Sequence, residues 1–183
     1  MSKAFFFQSI KNFSRVGAVW PSSAVLARKM TKILKKTKAQ TVVELGAGTG
    51  IITREILASM SPDAKLWSFE VDSIFCEILK KEFFDPRIKI VSDCASKISQ
   101  HVPGEIDFIF SGLPLLSFPA QKRKQILDAI EKALAPGGFY VQFNYSPTPL
   151  LSFKKYFSDI RIAFVPWNLP PAFVFICRKK VDK

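Results

Sequence analysis

The chain has 183 residues, 48% of them hydrophobic, with 27 basic and 15 acidic side chains, one histidine and three cysteines. That length suits one domain with a sizeable core, and the apolar content excludes a disordered chain. A single histidine excludes a centre or relay built from several, and Cys76, Cys94 and Cys177 lack metal-ligand spacing, so no metal is expected and the thiols read as buried in a reducing compartment.

No apolar run approaches the roughly twenty residues needed to cross a bilayer, and Ala4-Phe5-Phe6-Phe7 is too short for a signal-peptide core. The chain therefore reads as intracellular. Its net charge of +12 is unevenly placed. Nine basic residues (Lys3, Lys11, Arg15, Arg28, Lys29, Lys32, Lys35, Lys36 and Lys38) precede the first acidic one, Glu44, while the rest of the chain contributes only +3. Such a segment attracts a polyanion, either nucleic acid or an anionic membrane surface.

In chain order, residues 4–13 have the pattern of a short amphipathic helix. Phe6, Ile10 and Phe13 fall on one face, widened by Phe5 and Phe7, with Lys3, Lys11 and Arg15 at its margins. Such a helix lies in a membrane interface or caps the domain's own core. Gly17-Ala18-Val19-Trp20-Pro21 reads as a loop, and Ser22 or Ser23 as the N-cap of a helix running to about Lys35. Val25, Leu26, Met30, Ile33 and Leu34 make its apolar stripe, and the basic residues make its solvated face.

Val42-Val43-Glu44-Leu45-Gly46-Ala47-Gly48-Thr49-Gly50 predicts a strand, a tight turn and the start of a helix. The next strand ends at Glu70, about twenty residues after the last glycine, the distance at which a βαβ unit presents a carboxylate to ribose hydroxyls. The pair implies a nucleoside cofactor. Strands are predicted at 41–45, 65–70, 87–91, 106–111, 139–144, 160–165 and 172–178, and helices at 51–60, 73–84 and 119–134. A short turn is expected at 95–99 and a weak helix at 151–157. His101, before Val102-Pro103-Gly104, reads as a surface loop residue. Alternation of strand and helix argues for a mostly parallel α/β sheet covered on both faces. The loop from Pro166 to Pro171 is too short for a crossover, so the last two strands pair antiparallel.

These motifs resemble those of class I S-adenosylmethionine-dependent methyltransferases: Glu44 to Gly50, Glu70, Asp93 and Ala135-Pro136-Gly137-Gly138, in that order, along 17–179. Within that class, Gly17-Ala18-Val19-Trp20-Pro21-Ser22-Ser23, Ser111-Gly112-Leu113-Pro114-Leu115-Leu116, Gln142-Phe143-Asn144-Tyr145 and Trp167-Asn168-Leu169-Pro170-Pro171-Ala172 resemble the short soluble bacterial phospholipid N-methyltransferases. Those enzymes are related to rRNA adenine dimethylases and methylate phosphatidylethanolamine stepwise towards phosphatidylcholine. The resemblance implies a Rossmann-like, seven-stranded domain over 39–183, preceded at 1–38 by basic amphipathic helices that face membrane or substrate.

It also implies site residues. Gly46, Gly48 and Gly50 let the backbone approach the methionine and ribose of S-adenosylmethionine, and Glu44 orients the loop or meets the ammonium group. Glu70 accepts from both ribose hydroxyls, Asp93 recognises the adenine amino group, and the Cys94 N–H meets a ring nitrogen. Ser111 and its loop line the acceptor site, Tyr145 is the first choice of proton acceptor, and Tyr140 packs. Trp20, Tyr145 and Trp167 offer rings to a cationic headgroup, and Asn168 binds the headgroup or supports the site. Where the RNA adenine enzymes carry asparagine and an aromatic ring, this chain has Gly112 and Leu115, so a flipped base finds neither hydrogen bond nor stacking partner. The expected partners are thus an aminophospholipid and, through the Phe-rich helix, an anionic membrane surface. The protein would be cytoplasmic and peripheral to the inner membrane, with no obligate protein partner. An rRNA adenine N6-methyltransferase is the alternative reading, and a non-catalytic cofactor-binding module is disfavoured by the intact motifs.

Overall fold

The computed structural model describes residues 21–181. The predicted helix at 4–13 and Trp20 lie outside the described residues. The elements are α1 (Pro21–Thr31), β1 (Thr41–Leu45), α2 (Ile51–Leu57), β2 (Lys65–Phe69), α3 (Ser73–Glu82), β3 (Ile88–Val91), α4 (Ile98–His101), β4 (Ile106–Ser111), α5 (Ala120–Ala133), β5 (Leu134–Asn144), α6 (Leu150–Phe153), β6 (Asp159–Val165) and β7 (Ala172–Arg178). Their order in one seven-stranded sheet is β3-β2-β1-β4-β5-β7-β6. β1 to β5 run parallel, β7 is antiparallel to β5, and β6 is antiparallel to β7. The seven predicted strands and the antiparallel end pair are all present.

Apolar residues fill both faces because the central strands are buried on each side. One core joins α5 and α6 to the sheet through Ile126, Ile130, Tyr140, Phe153 and Phe175. The other joins α1 and α2 through Leu26, Met30, Ile56, Phe110 and Val174. Residues from α1 thus belong to the same core as β1 and β7. Alternation along β5 sends Tyr140 and Gln142 to the first face and Val141 to the second.

Several predicted ends shift. The chain is already helical at Pro21, so Ser22 and Ser23 lie inside the first turn, past the expected N-cap position. α2 ends at Leu57 and α3 at Glu82, short of the expected 60 and 84. β5 starts at Leu134, five residues early, with a register shift opposite 106–108. The weak helix at 151–157 shrinks to a single turn, α6. His101 is no loop residue: it ends α4, half-buried, with its ring edge-on to Phe69 at 5.7 Å.

Phe175 is fully buried, 5.4 Å ring-to-ring from Phe153, whereas Phe84 is 88% exposed. Phe175→Ala is expected to lower the unfolding free energy by about 3–5 kcal/mol, and Phe84→Ala to change it by no more than about 0.5 kcal/mol, as read by urea denaturation.

Candidate active site

The carboxyl ends of the parallel strands form the edge where ligands bind in open α/β sheets. β1 delivers Glu44 and then the glycine loop. Glu44 is fully buried, and its Oε2 accepts hydrogen bonds from Thr53 Oγ1 at 2.6 Å and Ser68 Oγ at 2.7 Å. It therefore ties the first turn of α2 and the middle of β2 to β1, which sets the loop's path. Its Oε1 has no partner among the described residues. Burial is the main reason that its pKa rises to about 7, partly offset by the two hydroxyl donors. Gly48 has φ +54° and open space around the position of an added Cβ, so a ligand can reach the loop's backbone there.

Glu70 is buried where β2 ends, and it bridges two loops. Its Oε2 accepts from Gly48 N–H at 2.9 Å, and its Oε1 from the N–H groups of Val71 and Asp72 at 2.7 and 2.9 Å. A carboxylate accepts at roughly four positions, so three backbone donors leave about one. Accepting from two ribose hydroxyls as well requires one backbone N–H to give way. Asp93 is similarly engaged: Cys94 N–H donates to Oδ1 at 2.7 Å, Lys97 Nζ lies 3.0 Å from Oδ1, and His101 Nε2 lies 2.9 Å from Oδ2. His101, then Lys97 and the Cys94 N–H hold the Asp93 carboxyl well below the usual carboxylate range. The Cys94 N–H expected to meet adenine is turned to Asp93 in this structure.

β4 delivers the facing loop. Gly112 N–H donates to Leu45 O at 2.9 Å, and a Cβ added at Gly112 would lie 2.8 Å from Gly46 O. The absence of asparagine here thus has a packing reason: the two loops touch through bare backbone. Ser111 is buried, with its Oγ accepting from Leu113 N–H at 3.3 Å, so it shapes this loop from behind. Leu115 does not line an open pocket; it is 1% exposed and packs in the core beside α5.

From β5, Tyr140 OH donates to Gln142 Oε1 at 2.7 Å, and Gln142 Nε2 donates to Leu113 O at 3.0 Å. Tyr140 packs against Phe153 and Phe157 as expected, and it also carries this polar tie. Asn144 is buried with Nδ2 unpartnered among the described residues. Tyr145 follows, partly exposed, with its ring edge-on to Phe143 at 5.7 Å. Desolvation raises its pKa, which disfavours a resting phenolate. Asn168 is buried and donates from Nδ2 to Pro170 O at 2.6 Å, so it pins the β6–β7 turn. Trp167, beside it, is 83% exposed.

Thr53, Ser68, His101, Gln142 and Asn144 escaped the sequence reading. Only Gln142 and Asn144 stood inside a recognisable motif. The others pair across 8 to 24 residues, with no local pattern to mark them.

The raised pKa of Glu44 predicts a pH effect. The native state binds this proton more tightly than the unfolded chain does, so burial costs nothing below the ordinary 4.5, and stability falls as pH rises through about 7. The full penalty is on the order of 3 kcal/mol. Glu44→Gln removes it. In urea denaturation, the variant should gain about that amount relative to the unsubstituted chain between about pH 5 and about pH 8. A difference that stays flat with pH would contradict the assignment.

A family model described as a methyltransferase domain matches residues 42–138. The ornithine lipid N-methyltransferase of Singulisphaera acidiphila is 32% identical over 180 residues, covering 95% of this chain and 94% of that one. Among solved structures, the N-methyltransferase NodS of Bradyrhizobium japonicum, in complex with S-adenosyl-L-homocysteine, superposes with a TM-score of 0.76 at 13% identity, over 94% of this chain and 97% of that one. The 1,6-didemethyltoxoflavin-N1-methyltransferase of Burkholderia thailandensis, with bound 1,6-didemethyltoxoflavin and S-adenosylhomocysteine, superposes with a TM-score of 0.71 at 17% identity, over 97% and 87%. A family model spanning more than half of the residues and a relative alike over nearly all of both chains leave one assignment: the chain belongs to the class I S-adenosylmethionine-dependent methyltransferases.

Proposed function

We propose that the protein methylates the headgroup amine of a membrane aminolipid. The full-length likeness to an ornithine lipid N-methyltransferase carries this reading. The acceptor side supports it. Gly112 has no room for a side chain against Gly46 O, and Leu115 is sunk in the core, so no amide and no ring is offered to a nucleobase. Amino-acid-linked lipids come first among the candidates because of that relative. Phosphatidylethanolamine, methylated towards phosphatidylcholine, is the second reading, favoured by the Trp167-Asn168-Leu169-Pro170-Pro171-Ala172 run.

When bound, S-adenosylmethionine supplies an electrophilic methyl group. Glu70 would hold its ribose, the backbone at Gly46, Gly48 and Gly50 its methionine and ribose, and Asp93 with Cys94 its adenine. Glu44, with its unpartnered Oε1, would hold the loop and favour a cationic ligand nearby. The acceptor-side loops, 111–118, 145–149 and 166–171, contain a single titratable side chain, Tyr145. Desolvation raises its pKa, and on this reading its ring face would hold the headgroup cation rather than its hydroxyl removing the proton. On this reading the protein works as a peripheral enzyme at the inner membrane surface, and the basic segment 1–15 contributes to attachment there. Among the described residues no helix is long and apolar enough to cross a membrane.

Two experiments test the proposal. Incubation with methyl-labelled cofactor and vesicles containing ornithine lipid or phosphatidylethanolamine, or with ribosomal RNA, should place label in an aminolipid; label only in RNA would overturn the reading. With an aminolipid substrate, Tyr145→Phe should keep the rate within about threefold, while Tyr145→Ala should lose about tenfold or more, the scale of one cation–π contact. Equal, near-complete loss in both variants would instead make the hydroxyl the proton acceptor.

A further inference from the structure

The carboxyl edge of the sheet exposes several large apolar side chains. Leu116, Trp167 and Leu169, in the loops at that edge, and Leu151, in α6 just after the β5 loop, are all exposed, Trp167 and Leu169 by 83% and 70%. The β6–β7 turn belongs to the same edge as the acceptor loops. Val165 pairs with Ala172, and Phe173 pairs with Asn144, so the turn projects beyond the end of β5, beside Tyr145. Asn168 is buried and tied to Pro170, and its two neighbours, Trp167 and Leu169, therefore face outward from a pinned turn. Pro166, Pro170 and Pro171 stiffen it further.

A groove of about 450 Å³ runs between this turn and α1. One wall is Phe164, Pro166 and Trp167, and the other is Arg28, Lys29 and Lys32. Arg28 has Glu55 at 3.5 Å, but among the described residues no carboxylate lies within ion-pair distance of Lys29 or Lys32. Exposed tryptophan and leucine beside uncompensated cations is the composition that seats at a bilayer interface. The indole sits at headgroup level, the leucine reaches the acyl boundary and the cations meet lipid phosphates.

We infer that the α1 groove and the β6–β7 turn dock the protein on an anionic lipid bilayer, with Trp167 and Leu169 entering the interface and Lys29 and Lys32 on lipid phosphates, so that the acceptor loops face the membrane. This rests on the aminolipid reading and gives it a surface. A second copy of the chain fits poorly, because it would set the same cations against each other. Residues 1–20 bring Lys3, Lys11 and Arg15 and no carboxylate, so they supply no counter-charge to the groove. Nucleic acid would satisfy the lysines but leave Leu116, Leu151 and Leu169 in water.

The test uses the full chain and vesicles of phosphatidylcholine with or without phosphatidylglycerol, followed by co-sedimentation. The unsubstituted protein should bind the anionic vesicles about tenfold more tightly than the neutral ones. Trp167→Ala with Leu169→Ala, and separately Lys29→Glu with Lys32→Glu, should each weaken that binding by about tenfold. Both variants should bind S-adenosylhomocysteine in calorimetry as the unsubstituted chain does, which excludes misfolding as the cause. Vesicle binding unchanged in both variants would overturn the surface while leaving aminolipid methylation standing. So would a dimer in ultracentrifugation that the substitutions dissociate, or an affinity for RNA that exceeds that for vesicles. Conversely, the surface survives if vesicles bind as expected and the aminolipid assay fails.

Discussion

The β1 and β4 loops meet backbone to backbone, and that contact fixes how the two loops face each other at the carboxyl edge of the sheet. Gly112 N–H donates to Leu45 O, and neither Gly112 nor Gly46 has room for a methyl group: an added Cβ would lie 2.8 Å from Gly46 O at the first and 2.8 Å from Leu113 Cδ2 at the second. Buried polar ties hold both sides of the contact. Glu44, fed by Thr53 and Ser68, anchors the β1 loop from below. Gln142, fed by Tyr140, holds Leu113 from the β5 side. Such ties cost desolvation, and their return is a fixed loop geometry, which near-attack positioning requires.

The cofactor half of this arrangement was legible in the residues. Alternate glycines after an acidic strand end, and a second acidic strand end one βαβ unit later, are local patterns, and the structure places Glu44, Gly48 and Glu70 together at one edge. Strand positions were legible for the same reason, since buried parallel strands read as continuous apolar runs. What stayed hidden depends on contacts distant in sequence. The pairing of His101 with Asp93 exists only because α4 turns the chain back towards β3. Leu115 looked like a pocket residue by its place after β4, yet a short helical turn at Leu115–Ser117 rolls it into the core and leaves Leu116 outside. Gly112 showed that an asparagine was missing; only the packing of two loops shows that none would fit.

The two halves of the edge differ sharply in chemistry. The ends of β1, β2 and β3 carry Glu44, Glu70, Asp93 and, through α4, His101, all engaged in hydrogen bonds with backbone or side chains. The loops after β4, β5 and β6 carry one titratable group, Tyr145, amid proline, leucine and aromatic side chains. A nucleoside with several donors and acceptors matches the first half. The second half matches a ligand that is mostly apolar and brings its own charge.

On the aminolipid reading, that division bears on how the amine would lose its proton here. Removal of charge from water disfavours the charged form, so an ammonium entering the acceptor side has its pKa lowered by desolvation alone. Tyr145, itself pushed up by desolvation, is poorly suited to take the proton, and no carboxylate or imidazole shares those loops. On the aminolipid reading, desolvation on binding would favour loss of the proton to water, while the Tyr145 ring would steady whichever cationic form remains. On the same reading a methylated ammonium would leave carrying its charge, and desolvation would favour its departure over its retention. On that reading, the same absence of polar groups that denies a nucleobase its partners would serve both substrate deprotonation and product release.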